Sequence, residues 1–151
     1  MTTASGQSRI YPTRPYLAVS AAIFRDGRVL IVRRAEPPAQ GLYTLPGGGV
    51  ELGETLEQAV IREVREETAL DIEPLALAGY RQMIARDAAG KIERHFVILP
   101  FAARFIGGEV KLNAELAEAK WLLPAEISGL KTTDGLADIV ATAAALISTR
   151  R

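Results

Sequence analysis

Glu63, Glu66 and Glu67 fall within five residues of one another, and closely spaced carboxylates supply the oxygen ligands that hard divalent cations prefer. Leu56, Val60 and Val64 recur at helical spacing through the same segment. On a helix turning about 100° per residue, with Leu56 at the origin, Val60, Val64 and Ala59 fall within about 80° of it and define an apolar face. Glu67 and Glu63, each within about 20° of Leu56, then lie inside that face, and Glu66 lies at its margin beside Ala59. A soluble helix ordinarily turns such side chains outward. They also sit toward the helix C-terminus, where the backbone dipole disfavours negative charge. Two carboxylates about 6 Å apart repel by roughly 3 kcal/mol at an effective dielectric near 20. Arg62 and Arg65 fall on the far side of the wheel, off the arc, so the pattern asks for another cation, and magnesium or manganese fits. The plainer alternative is a solvated face on which Arg62 pairs with Glu66 one turn on.

The residues before this helix favour a built site. Pro46-Gly47-Gly48-Gly49 ends a strand-like segment, Leu42 to Leu45. Three successive glycines cost backbone entropy unless positive φ or close approach by another group requires them. Thr55 and Gln58 make a capping-box pair that starts the helix near Thr55. A glycine turn therefore joins a strand to a firmly capped helix, with backbone groups free to face a ligand.

Gly48, Glu54, Arg62-Glu63, Val64, Glu66-Glu67 and Leu70 resemble, position by position, the signature box of the Nudix hydrolases. Ala69 departs from it, standing where the family has a glycine. That glycine serves as a left-handed helix cap, so alanine there costs about 1 kcal/mol without disturbing a carboxylate. The resemblance implies an α/β/α sandwich with a mixed β-sheet between helices. It also implies metal-dependent hydrolysis of a P–O–P bond in a nucleoside diphosphate linked to another moiety. Glu63, Glu66 and Glu67 match the family's metal-binding acids, with the Gly47 carbonyl as a backbone ligand, and Gly48 opens the loop that faces the substrate. Arg62 and Glu54 match the residues that orient these acids through ion pairs. Magnesium is the implied cofactor, with manganese able to replace it.

Beyond the box, the family often draws a further carboxylate from a loop ahead of an aromatic-bearing strand. Glu115, six residues before Trp121, is the candidate for this ligand or general base, with Glu118 the alternative. Both also fit an exposed loop. Arg33 and Arg34 end a strand and by alternation point to opposite faces, so at most one reaches a phosphate. Tyr43 and Phe96 suit stacking on a base or packing in the core. His95, the only histidine, alternates with apolar neighbours and reads as packed or exposed rather than catalytic.

The elements that must position these groups are legible in outline. Residues 1–13 read as a loose tail and 14–151 as one domain. Tyr16 to Phe24 and Val29 to Arg33 form a hairpin around Asp26-Gly27. Leu75 to Ala85 and Ile92 to Phe105 read as two long strands, and Ala119 to Leu123 as a short one. A last helix starts at Thr132 or Thr133 and buries Leu136, Ile139, Val140 and Ala143. Strands mixed with two main helices make an α/β protein.

Composition narrows the partners. Eighteen basic residues balance eighteen acidic ones, leaving no broad field for a nucleic-acid polymer or an anionic membrane. The absence of cysteine excludes disulfides and thiolate chemistry. No stretch reads as a signal peptide or a membrane span, so a cytoplasmic location is expected. A homodimer is a further expectation, drawn from the relatives. The proline that marks ADP-ribose-specific relatives is missing at Ile84-Ala85-Arg86, so ADP-ribose and nucleoside triphosphates both stay open as substrates. Two other classes remain: a non-catalytic nucleotide sensor, whose mark would be a lost box acid, and a structural domain with a merely solvated acidic helix.

Overall fold

Alternation along β1 (Tyr16–Arg25) and β2 (Arg28–Arg34) sends one set of apolar side chains to each face of a sheet. Asp26 and Gly27, both at positive φ, close this hairpin in the tight form that matches strand twist. In the computed structural model, which describes residues 9–150, the sheet holds eight strands. Its centre is a parallel pairing of β1 with the long β7 (Ile92–Gly107), from Tyr16 opposite Phe96 to Phe24 opposite Arg104. The other pairings between these strands are antiparallel, so the sheet is mixed.

Each face carries one helix. Val19, Ala21, Ile23, Leu30 and Val32 pack against Val60 and Val64 of α1 (Leu56–Thr68). Ala22, Phe24, Val29 and Ile31 pack on the other face against Val140 and Ala143 of α2 (Leu136–Ser148), with Ile127 from a 3₁₀ turn (Pro124–Gly129). This is the expected α/β/α sandwich. No helix among the described residues is long and apolar enough to cross a membrane.

Several elements differ from the sequence reading, each for a local reason. The strand expected from Leu75 to Ala85 is two: β5 (Asp71–Leu77) and β6 (Arg81–Arg86), broken at Gly79 with φ 114°. They pair with opposite halves of β7. β5 begins earlier than expected because its edge position and a register shift accommodate Pro74. β8 (Leu116–Leu122) also begins early, since pairing with β2 overrides the helical composition of its alanines and glutamates. α2 starts late, after Gly135. Thr132 and Thr133 are held at the sheet edge instead, where the Thr133 amide donates to the Tyr43 carbonyl.

The glycine turn is in fact two short strands, β3 (Tyr43–Thr44) and β4 (Gly47–Gly49), and β4 lies antiparallel to Ala18–Ser20 of β1. Residues 1–8 of the expected tail lie outside the described residues. Residues 9–13 are not loose throughout: the Tyr11 amide donates to the Glu93 carbonyl at 2.8 Å, and its hydroxyl to Asp87 at 2.9 Å.

Both ends of α1 follow the sequence. The Thr55 hydroxyl accepts from the Gln58 amide, and the Gln58 side chain accepts from the Thr55 amide. At the other end, exposed Ala69 adopts the left-handed conformation with φ 65° and ψ 12°. That geometry favours glycine by about 1 kcal/mol. Ala69→Gly should therefore raise the free energy of unfolding by about that amount in urea titration, with no loss of helix by circular dichroism.

Candidate active site

α1 delivers its acids to β4 at three depths. Glu67 is buried, and its Oε1 accepts from the Gly47 amide at 2.7 Å. Glu63 is nearly buried, while Glu66 remains over half exposed. Space for Glu63 comes from the glycines. A methyl on Gly48 would overlap the Glu63 carboxylate, and one on Gly47 would overlap the Val19 carbonyl. Close approach, rather than a positive φ, is what these three glycines provide.

Arg62 is the cation that the helical wheel placed off the arc. Its Nε and Nη2 donate to the two oxygens of Glu54 at 2.7 and 2.8 Å, a bidentate fork. Nη2 also donates to the Gly49 carbonyl at 2.9 Å, and Nη1 to Glu63 at 2.9 Å and more loosely to Glu66 at 3.4 Å. The long side chain bends back over the turn that its Cα direction leaves, so the exclusion made from angles alone is corrected. Glu54 is held below the usual carboxylate range by its hydrogen bonds to Arg62, and Arg62 is raised in return.

Among the described residues Glu67 forms no salt bridge. Burial raises its pKa most, the Gly47 amide opposes this, and Glu115 and Glu63 add to the rise, which takes it up to about 9. Glu63 is also raised, first by burial and against the pull of Arg62. Glu115 reaches this place because its loop is tied to the end of α1. Asn113 donates its amide to the Glu67 carbonyl, and its side chain accepts from the Glu115 amide. The Glu115 carboxyl lies close enough to Glu67 to add to that rise. Among the described residues, no three acids already converge as a finished metal cage. Arg62 draws Glu63 and Glu66 one way, while Gly47 holds Glu67.

These groups line a cavity of about 550 Å³, which also takes in Arg34, Arg81, Arg94 and Phe96. Met83, Leu136 and Ile139 give it an apolar surface, with Thr44 and Thr133 beside them. Arg81 donates to the Thr133 hydroxyl, which donates to that of Thr44. Arg33 and Arg34 do point apart. Arg34 lines the cavity and donates to the Pro38 carbonyl at 2.6 Å, whereas Arg33 pairs with Glu118 at 3.2 Å. Tyr43 also donates to Glu118, at 2.8 Å, and Lys120 lies over its ring. Arg33, Tyr43 and Glu118 thus form a cluster outside the cavity lining, a correction to the placement of Arg33 and Tyr43 at the substrate. His95 does not line the cavity either. Thr44, Arg81, Arg94 and Thr133 were not singled out from sequence; they meet only through the pairing of β6 and β7 and the edge contact of β3.

Sandwich, capped acidic helix and glycine strand together define a Nudix fold, and a NUDIX domain model matches residues 14–143. The chain belongs to the Nudix family. It is 38% identical over 113 residues to an ADP-ribose pyrophosphatase of Methanocaldococcus jannaschii, covering 75% of this chain and 64% of that enzyme, just under two thirds of its length. The crystal structure of a MutT NUDIX hydrolase from Burkholderia pseudomallei superposes with a TM-score of 0.71 at 28% identity, covering 85% of this chain and 98% of that one. The NUDIX domain of Shewanella oneidensis NrtR, solved in complex with ADP ribose, superposes at 0.69 with 26% identity, covering 89% and 90%.

Removing the guanidinium should expose how much it holds. Arg62→Ala should lower stability by about 2 kcal/mol, because Glu54 and Glu63 lose charge-assisted bonds in a partly buried setting. Arg62→Lys should recover less than half of that loss, since an ammonium cannot reproduce the fork; urea unfolding of the three proteins measures both values.

Proposed function

We propose that this chain is a divalent-metal-dependent pyrophosphohydrolase that cleaves a nucleoside diphosphate derivative, with magnesium the ordinary ion and manganese a substitute. The observation that carries the reading is buried Glu67 in one cavity with Glu63 and Glu115, beside a glycine strand. Their donor set is all oxygen, which suits a small hard ion, and positive charge there would offset the burial and the repulsion that keep Glu67 protonated. The residues therefore fit the metal. Glu63, Glu66, Glu67, Glu115 and the Gly47 carbonyl are the groups that would hold it. Bound ions would neutralise the diphosphate and make water a better nucleophile.

The chain's own groups supply the rest. Arg62, braced on Glu54 and the Gly49 carbonyl, fixes the direction of Glu63. Glu115 or Glu67 takes the proton of the attacking water, since both acids line the cavity and interact with each other. Arg34 offers its guanidinium to a phosphoryl oxygen from the cavity wall. Phe96, Met83, Leu136 and Ile139 give the nucleoside an apolar surface. Gly48 keeps the space in which the acids can be reached.

ADP-ribose is the substrate to test first, given the relative that carries that activity and the neighbour that binds it. The missing proline at Ile84-Ala85-Arg86 keeps nucleoside triphosphates in the comparison. A sensor without turnover is disfavoured because Glu63, Glu66 and Glu67 are all retained.

A screen of ADP-ribose, nucleoside triphosphates, nucleotide sugars and dinucleotides should show product only with magnesium or manganese. Glu67→Gln should lower kcat by at least about a hundredfold with the fold intact. Lack of metal-dependent turnover across that panel would refute the proposal.

The raised pKa of Glu67 gives a second test. Between the ordinary glutamate value of 4.5 and about 9, the metal-free native state holds a proton that the unfolded chain has lost. Stability from this group is therefore greatest at low pH and declines as pH rises through that window. Magnesium displaces the proton, so its affinity should climb toward pH 9, with proton release visible by calorimetry in buffers of different ionisation enthalpy. Glu67→Gln should abolish most of that release.

A further inference from the structure

Two guanidiniums in the cavity carry charge that the proposed chemistry has not fully used. Arg62 is saturated by carboxylates, and Arg81 is bonded to Thr133 with Asp134 nearby. Arg34 and Arg94 differ. Among the described residues neither forms a salt bridge, and Arg34 donates to the neutral carbonyl of Pro38. Both line the cavity, and both are part-buried. Arg94 projects from β7 on the same face as Phe96 and Ile98, which also line it. Partly desolvated cations facing a shared space are unfavourable unless an anion comes between them.

We infer that Arg94, together with Arg34, seats the phosphoryl oxygens of the substrate that point away from the glutamates. The inference rests on the reading that a diphosphate binds in this cavity, and it adds Arg94 as a substrate-anchoring residue. Arg34 stands close enough to Glu67 and Glu115 to feel their charge, and it also feels that of Arg94. A diphosphate drawn to the acids by their metal therefore presents its remaining oxygens to this pair. Each guanidinium has donors in a planar fork that matches a phosphoryl group.

The N-terminal segment holds this arrangement in place. Tyr11 donates its amide to Glu93, the residue before Arg94, and its hydroxyl to Asp87 in the turn of the same hairpin. Lys91 lies 4.9 Å over the Tyr11 ring. The strand end bearing Arg94 is thus clasped from outside, which fixes the backbone from which Arg94 projects.

The test compares wild type with Arg94→Ala, Arg94→Lys and Arg86→Ala. The last removes an equal charge from the same hairpin at an exposed position that does not line the cavity. Calorimetric affinity for ADP with magnesium and steady-state kinetics on ADP-ribose are read for each, with circular dichroism to confirm folding. Arg94→Ala should weaken ADP binding and raise KM by about tenfold, with kcat within about threefold of wild type. Arg94→Lys should recover part of the affinity, and Arg86→Ala should match wild type. Equal ADP affinity in wild type and Arg94→Ala would overturn the inference, as would an equal loss in Arg86→Ala or a wild-type protein that binds no ADP. Arg94-dependent ADP binding without turnover of any substrate would sustain the inference and sink the hydrolase reading alone.

Discussion

The guanidinium of Arg62 joins three parts of the chain: the loop before α1 through Glu54, the glycine strand through the Gly49 carbonyl, and the helix through Glu63. Each contact uses a different edge of a planar group, so moving any one disturbs the others. The arrangement solves an electrostatic problem and a geometric one together. It lowers the cost of gathering acids at the C-terminal half of a helix, and it fixes their directions relative to β4. Lysine, with one point of charge, would answer only the first need.

Glu67 stands outside that arrangement, which separates two kinds of acid within one turn of helix. Glu63 is neutralised in part by a side chain, whereas Glu67 is neutralised by a proton that burial and its neighbours keep in place. A proton is exchangeable and a buried arginine is not. The helix thus presents a permanent counter-charge on one flank and a replaceable one on the other. A divalent ion bound there, as proposed, would compete for the replaceable place and couple affinity to pH by mass action.

Much of the site was legible because it is local. Thr55, Gln58, Glu63, Glu66, Glu67 and Ala69 lie within one helix and its caps, where spacing translates directly into geometry. The sandwich followed from alternation in β1 and β2 and the periodicity of α1 and α2. What escaped was non-local. β4 looks like a turn until Ala18–Ser20 is seen beside it, and the first residues of β8 look like loop until β2 supplies their partner. Arg33 and Tyr43 suited a phosphate and a base as residue types, but pairing with β8 places Glu118 beside them. Arg94 carried no motif at all; its significance depends on which strand face meets the cavity.

The parallel pairing of β1 with β7 also governs how the molecule comes into being. Tyr16 and Phe96 lie about eighty residues apart, and parallel strands cannot be joined by a tight turn. A hairpin and a capped helix can form while the ribosome is still translating the middle of the message, yet the central ladder waits for β7 to emerge. Until then α1 has no complete floor to lie on, and its acids have neither Glu115 nor the hairpin arginines near them. The cavity is therefore a late acquisition in biosynthesis, gained when β7 and the loop after it close on the first strands.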